Sequence, residues 1–146
     1  MKIREMTAED LFAVSEIEKE CFSVPWTYEM LQESLENPHY VFLVAENDEG
    51  NVAGYAGMTV IFDEGDICNI AVLKEERRKG IGDMLLSALL SEALKRGVST
   101  ARLEVRATNL PAVCLYEKHG FKPLGRRKDY YTFPTEDALI YGVFLC

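Results

Sequence analysis

The chain has 146 residues, of which 48% are hydrophobic and 27% charged, with 16 basic against 24 acidic side chains and a formal net charge of −8. This is the length and composition of one globular domain that buries most of its apolar surface, and the acidic excess argues against general affinity for nucleic acid or an anionic membrane, both of which call for basic surface. No apolar run reaches the roughly 18 residues of a bilayer span, and Met1 to Glu5 lacks the apolar core of a secretory leader, so a cytoplasmic protein is expected.

In chain order, Ile3 to Met6 reads as a short first strand. Thr7 and Asp10 have the spacing of a capping box variant, followed by a helix with Leu11, Val14 and Ile17 as its apolar stripe. Pro25 interrupts that pattern, and Thr27 is placed to cap a second short helix that buries Leu31 and Leu35. Tyr40 to Ala45 and Val52 to Phe62 read as two strands of a hairpin joined through the turn Asn47 to Asn51. A turn at Asp63 to Asp66 leads to a third long strand, Ile67 to Leu73.

Ile81, Met84, Leu85, Ala88 and Leu89 then follow helical spacing, and Gly97 closes that helix. Ala101 to Ala107 alternates as a strand, and Pro111 opens a short helix ending at Gly120. Strands around Phe121–Gly125 and Ala138–Leu145 finish the chain. The fold class is therefore α/β: a mixed, mostly antiparallel sheet flanked by helices in a single domain spanning residues 1–146. Its strand–helix–strand crossover is expected to be right-handed.

Cys21, Cys68, Cys114 and Cys146 form no C-x-x-C pair and sit in or beside apolar stretches. His39 and His119 have no ligand-like spacing with them, so neither a structural metal nor a Cys–His nucleophile is expected.

The most informative segment runs from Ile70 to Gly82, where a strand ends, a charged link follows, and Gly80 and Gly82 open an amphipathic helix. Glycines let several backbone N–H groups approach one anion, and the helix N-terminus suits a pyrophosphate. Arg77, Arg78 and Lys79 add cationic charge at that point. A solvated basic turn with closely packed glycines is the competing reading. Other phosphate loops fit poorly, because Leu85 stands where a dinucleotide fingerprint needs its third glycine and no Gly-Lys-Ser/Thr follows.

Arg77, Gly80 and Gly82 in this strand–loop–helix context resemble the pyrophosphate motif of the GNAT superfamily of N-acetyltransferases, whose order of elements extends over essentially the whole chain. Five further segments are similar to the RimI branch, which acetylates the N-terminal alanine of the small-subunit ribosomal protein numbered eighteen. They are Cys21 to Thr27, Leu103 to Asn109, Leu115 to Phe121, Arg127 to Tyr131 and Glu136 to Ile140. Thr108, where that branch commonly has serine, is a mild departure.

The resemblance implies acetyl-CoA as co-substrate, with no metal. The pantetheine arm would pair with Ile70, Ala71 and Val72, and the pyrophosphate would be held by Arg77, Arg78, Lys79, Gly80, Ile81, Gly82 and Asp83. A backbone N–H near Val72 would stabilise the thioester oxygen where that strand splays from its neighbour. The implied partner is a protein or peptide N-terminus on a basic ribosomal protein, with the oligomeric state left open.

Acetyl transfer needs a neutral amine, a polarised carbonyl and a proton for the departing thiolate. By alternation Glu104 faces away from Leu103 and Val105, as either an exposed strand residue paired with Arg106 or a neighbouring basic side chain, or a base. Tyr116 is either a buried helix residue or a phenol protonated at neutral pH that donates a proton. The resemblance favours Glu104 as general base and Tyr116 as general acid. Asn109 could bond the cofactor's amide, cap its helix, or both.

Trp26, Phe22, Tyr130 and Tyr131 are candidate walls of a peptide groove, with the core as the more expected setting for Phe22. Glu136 and Asp137 either meet a basic peptide or are solvated where the last strand begins. Three activities remain open: the N-terminal alanine transfer, acetylation of other N-termini, lysines or small amines, and non-catalytic acyl-CoA sensing.

Overall fold

The computed structural model describes residues 1–146. Its strands are β1 (Lys2–Glu5), β2 (Tyr40–Glu46), β3 (Val52–Ile61), β4 (Glu64–Val72), β5 (Thr100–Arg106), β6 (Lys122–Tyr131) and β7 (Glu136–Phe144). Its helices are α1 (Leu11–Cys21), α2 (Tyr28–Glu36), α3 (Ile81–Lys95) and α4 (Leu110–Lys118). One seven-stranded sheet has the order β1-β2-β3-β4-β5-β7-β6. Every neighbouring pair is antiparallel except β4 with β5, the pair joined through α3.

Two cores lie on opposite faces, and β2 shows why its sequence is continuously apolar. Val41, Leu43 and Ala45 join the larger core with α3 and α4, while Phe42 and Val44 join the smaller core with α1 and α2. A strand covered on both faces has no reason to alternate. β5 does alternate: Ala101, Leu103 and Val105 are buried in the larger core, while Glu104 is exposed on the other face.

Several boundaries shift from the sequence reading. A short 3-10 turn at Ala8–Asp10 precedes α1, and Asp10 Oδ2 accepts the Thr7 N–H at 2.8 Å. β4 begins at Glu64 because Ile61 already pairs with Glu64, which leaves only Phe62 and Asp63 in the turn. β6 continues to Tyr131 rather than stopping near Gly125, held to β7 through two register irregularities. Nine of its ten residues are exposed, so no apolar alternation marked it in the sequence. β7 inserts between β5 and β6, which places the last residues of the chain inside the sheet.

Candidate active site

The parallel pairing of β4 with β5 covers only Glu64–Thr100, Gly65–Ala101 and Asp66–Arg102. Beyond Asp66 the two strands separate, and a bulge at Cys68 shifts β4 against β3, with Gly57 opposite Asn69 and Met58 opposite Ile67. A bulge bends its strand and re-aims the side chains that follow. The backbone of Ile67–Val72 therefore has no ladder partner on its β5 side, and its N–H and C=O groups can meet another extended chain.

A cleft of about 670 Å³ fills this opening. Glu104 and Tyr116 both line it, although Glu104 projects from the face of β5 opposite the larger core and Tyr116 belongs to that core on α4. The splay is what lets groups from the two faces reach one space. Ile70, Asn109, Trp26, Tyr130 and Tyr131 line the cleft as well, so most of the expected chemistry-bearing side chains converge there.

The Glu104 side chain is 34% exposed. It does not pair with Arg106. Its Oε2 accepts from the Tyr130 hydroxyl at 3.3 Å, and its Oε1 lies 3.4 Å from Arg127 Nε. Tyr116 is buried edge-on against Phe121, and burial, followed by the nearby Tyr131, holds its phenol well above the usual tyrosine range. It therefore keeps its proton at any physiological pH. Burial likewise pushes the Tyr131 hydroxyl up to about 12.

Asn109 caps α4, its Oδ1 accepting the Ala112 N–H at 3.3 Å. Trp26 stands edge-on to Tyr40 and Phe42 and lines the cleft with its loop neighbours Ser23 and Val24. Phe22 is half-buried against the smaller core and also borders the cleft, so both of its expected settings hold. Glu136 accepts from the Thr108 N–H at 2.7 Å and from Arg106 at 3.2 Å, which ties it within the protein, and Asp137 pairs with Arg126 at 3.1 Å.

The glycine loop lies outside the cleft lining, at the start of α3. Gly80 is in the left-handed region with φ of 77°, with nothing within 4 Å of where a side chain would begin. Its carbonyl accepts the Met84 N–H, so the first N–H groups of α3, from Ile81, Gly82 and Asp83, have no helical partner. Ile81 buries its side chain and offers only its backbone.

Arg77 lies against the end of β4, with Nε donating to the Val72 carbonyl at 3.0 Å. Lys79 pairs with Glu76 at 2.9 Å, and Asp83 is bonded to Lys118 and His119, which neutralises its carboxylate beside the helix N-terminus. An open left-handed glycine, free first-turn N–H groups and an unpaired strand edge together fit a ligand with a pyrophosphate and an amide-bearing arm. No group of three or more His, Cys, Asp or Glu side chains has metal-binding geometry.

Sequence reasoning passed over Glu18 and Asn69. Glu18 is completely buried on α1 at the cleft wall, accepting from the Trp26 N–H at 2.7 Å, the Tyr55 hydroxyl at 2.6 Å and Asn69 Nδ2 at 3.2 Å. Burial pushes its carboxyl above the usual range against these hydrogen bonds. In sequence its only signal is a charge on the stripe side of α1, one residue after Ile17.

A model of the acetyltransferase (GNAT) family matches residues 11–121. A Bacillus subtilis (strain 168) protein, provisionally named a [ribosomal protein bS18]-alanine N-acetyltransferase, is 42% identical over 97% of this chain and 93% of its own length. The Escherichia coli (strain K12) [ribosomal protein bS18]-alanine N-acetyltransferase is 37% identical over 97% of this chain and 95% of its own. The crystal structure of the Escherichia coli ribosomal-protein-S18-alanine N-acetyltransferase superposes with a TM-score of 0.90 at 35% identity, covering 99% of this chain and 93% of that one. The chain belongs to the GNAT family and is an acetyl-CoA-dependent N-acetyltransferase.

Proposed function

We propose that this protein acetylates the N-terminal alanine of the small-subunit ribosomal protein bS18 by direct transfer from acetyl-CoA, in the cytoplasm. The reading is carried by one observation: Glu104 and Tyr116, from opposite faces of the sheet, line a single cleft at the splay. The names of relatives at 37–42% identity over nearly the whole chain support the substrate. The carboxylates of Asp66 and Glu104 around the cleft favour a cationic peptide end.

An α-amino group titrates near 8 and a lysine near 10.4, so the neutral fraction at pH 7 differs more than a hundredfold in favour of the N-terminus. Glu104 takes the proton from the attacking amine, directly or through water, as the C–N bond forms at the thioester carbon. The C–S bond then breaks, and the buried Tyr116 hydroxyl gives its proton to the leaving sulfur. A backbone N–H near Val72 polarises the carbonyl, and the Gly80 loop with Arg77, Arg78 and Lys79 holds the pyrophosphate. Trp26, Tyr130 and Tyr131 wall the peptide.

The test is acetyl-CoA turnover on a basic peptide that begins with free alanine, beside the same peptide with a blocked N-terminus and an internal lysine. Turnover of the free peptide alone is expected. Equal turnover of both would overturn N-terminal specificity. Turnover of neither would redirect the assignment to small amines or to non-catalytic acyl-CoA binding.

A further inference from the structure

Arg106 ends β5, and its guanidinium is shared among three segments around the mouth of the cleft. Nη1 donates to the Pro134 carbonyl at 2.9 Å and to Glu136 Oε1 at 3.2 Å. Nη2 donates to the Thr132 carbonyl at 2.8 Å and to Ser23 Oγ at 3.4 Å. The guanidinium carbon also lies 4.6 Å from the centre of the Tyr131 ring. Thr132 and Pro134 belong to the β6–β7 turn, Glu136 opens β7, and Ser23 lies in the α1–α2 segment. Through Glu136, which accepts the Thr108 N–H at 2.7 Å and pairs with the Thr108 hydroxyl, the link extends to the residue before the cap of α4.

Ser23, Arg106, Tyr131 and Thr132 all line the cleft, so this one side chain ties together residues of its lining from separate elements. A guanidinium is suited to the task because its donors form a rigid planar fork while its face stacks on a ring. A lysine ammonium at the same place is a single point charge and cannot span the turn carbonyls, the carboxylate and the serine together.

We infer that Arg106 is a positioning residue for the peptide, fixing the β6–β7 turn and the α1–α2 segment against β5 so that the mouth is preformed. The inference rests on the peptide reading proposed above. It places the effect of Arg106 on the peptide KM, and leaves acetyl-CoA binding, which involves the loop at the far end of β4, untouched.

The experiment compares Arg106→Lys and Arg106→Ala with the wild-type full chain. It measures steady-state kinetics on the free-alanine basic peptide, acetyl-CoA affinity by calorimetry, and amide hydrogen exchange. Both variants are expected to raise the peptide KM about tenfold or more, keep kcat within about threefold and keep acetyl-CoA affinity within about twofold. Exchange protection should fall at Ser23 and across Thr132–Glu136 while β2 and β3 keep theirs.

A peptide KM within about twofold of wild type in both variants overturns the inference, as does a parallel loss of acetyl-CoA affinity and of protection in β2 and β3. Full rescue by lysine overturns the requirement for the fork. If the wild-type enzyme acetylates no peptide amine, the substrate reading fails by itself. The exchange arm, which needs no substrate, then decides: local opening of both segments supports the clamp, and unchanged protection overturns it.

Discussion

The Tyr130 hydroxyl donates to Glu104 Oε2 at 3.3 Å, reaching from β6 over the intervening β7 to the carboxylate at the splay. The bond joins the outermost strand to the candidate base. Substituting Glu104→Gln keeps the shape and removes the proton acceptor, and a fall in kcat of about a hundredfold or more at pH 7 is expected. Acetyl-CoA affinity measured by calorimetry should stay within about twofold, because the glycine loop lies outside the cleft that Glu104 lines. Unchanged turnover would remove Glu104 from the base role.

Tyr116→Phe deletes one buried hydroxyl and leaves the ring edge-on to Phe121, so thermal unfolding should shift little. Turnover should slow by about tenfold or more. Burial raises the Tyr116 phenol, so its acid form persists as pH rises through the ordinary tyrosine range. The wild-type pH–rate profile should accordingly show no alkaline fall near pH 10 that the Phe variant abolishes. Such a fall would mean that Tyr116 titrates normally and is not the buried acid described here.

Gly80→Asp places a side chain on a residue with φ of 77° and a negative charge beside the first turn of α3. Asp tolerates the left-handed region better than most residues, so the fold should survive. Acetyl-CoA affinity should weaken about tenfold or more through charge repulsion at the helix N-terminus. Tight binding in this variant would refute the loop assignment.

Asp10 holds Arg4 with both oxygens, at 2.8 and 2.9 Å, and it is buried on the side of the smaller core. The Arg4 hydrogen bond, the largest cause, holds the Asp10 carboxyl below the usual range. A depressed carboxylate contributes stability that is present above its unfolded pKa and lost as pH falls through its folded one. Asp10→Asn should therefore lower stability at pH 7 by about 2 kcal/mol and flatten the acid limb of a denaturant-midpoint series below about pH 4.

Glu18→Ala strands three donors at once, the Trp26 N–H, the Tyr55 hydroxyl and Asn69 Nδ2. A loss of about 3 kcal/mol in equilibrium unfolding is expected. The raised carboxyl of Glu18 has the opposite sign to Asp10: its ionisation costs stability as pH rises through the folded value. A neutral stability change would show that the three donors find water instead.

Helix positions and the glycine loop were legible because each has a local cause. Thr27 accepts the Met30 N–H as a cap, Asn109 caps α4, Pro111 sits in its first turn, and Gly97 and Gly120 take positive φ where helices end. β6 was only half legible, because an exposed edge strand leaves no periodic pattern for a reader to find. Glu18 was missed because a buried carboxylate is defined by Tyr55 and Asn69, which stand 37 and 51 residues away in sequence.

By itself the sequence made the family legible through the Arg77-x-x-Gly80-x-Gly82 spacing, and with it the glycine loop and Glu104 and Tyr116 as candidate residues. Only the tertiary structure decided that Glu104 meets Tyr130 and Arg127 rather than Arg106, and that Arg106 bonds the β6–β7 turn, Glu136 and Ser23. It also decided that groups from opposite faces of the sheet share one space. Those relations depend on the order β5-β7-β6 and on β4 leaving β5 after Asp66. Both are set by which strand edges satisfy their backbone hydrogen bonds across long stretches of chain, and no local pattern encodes that choice.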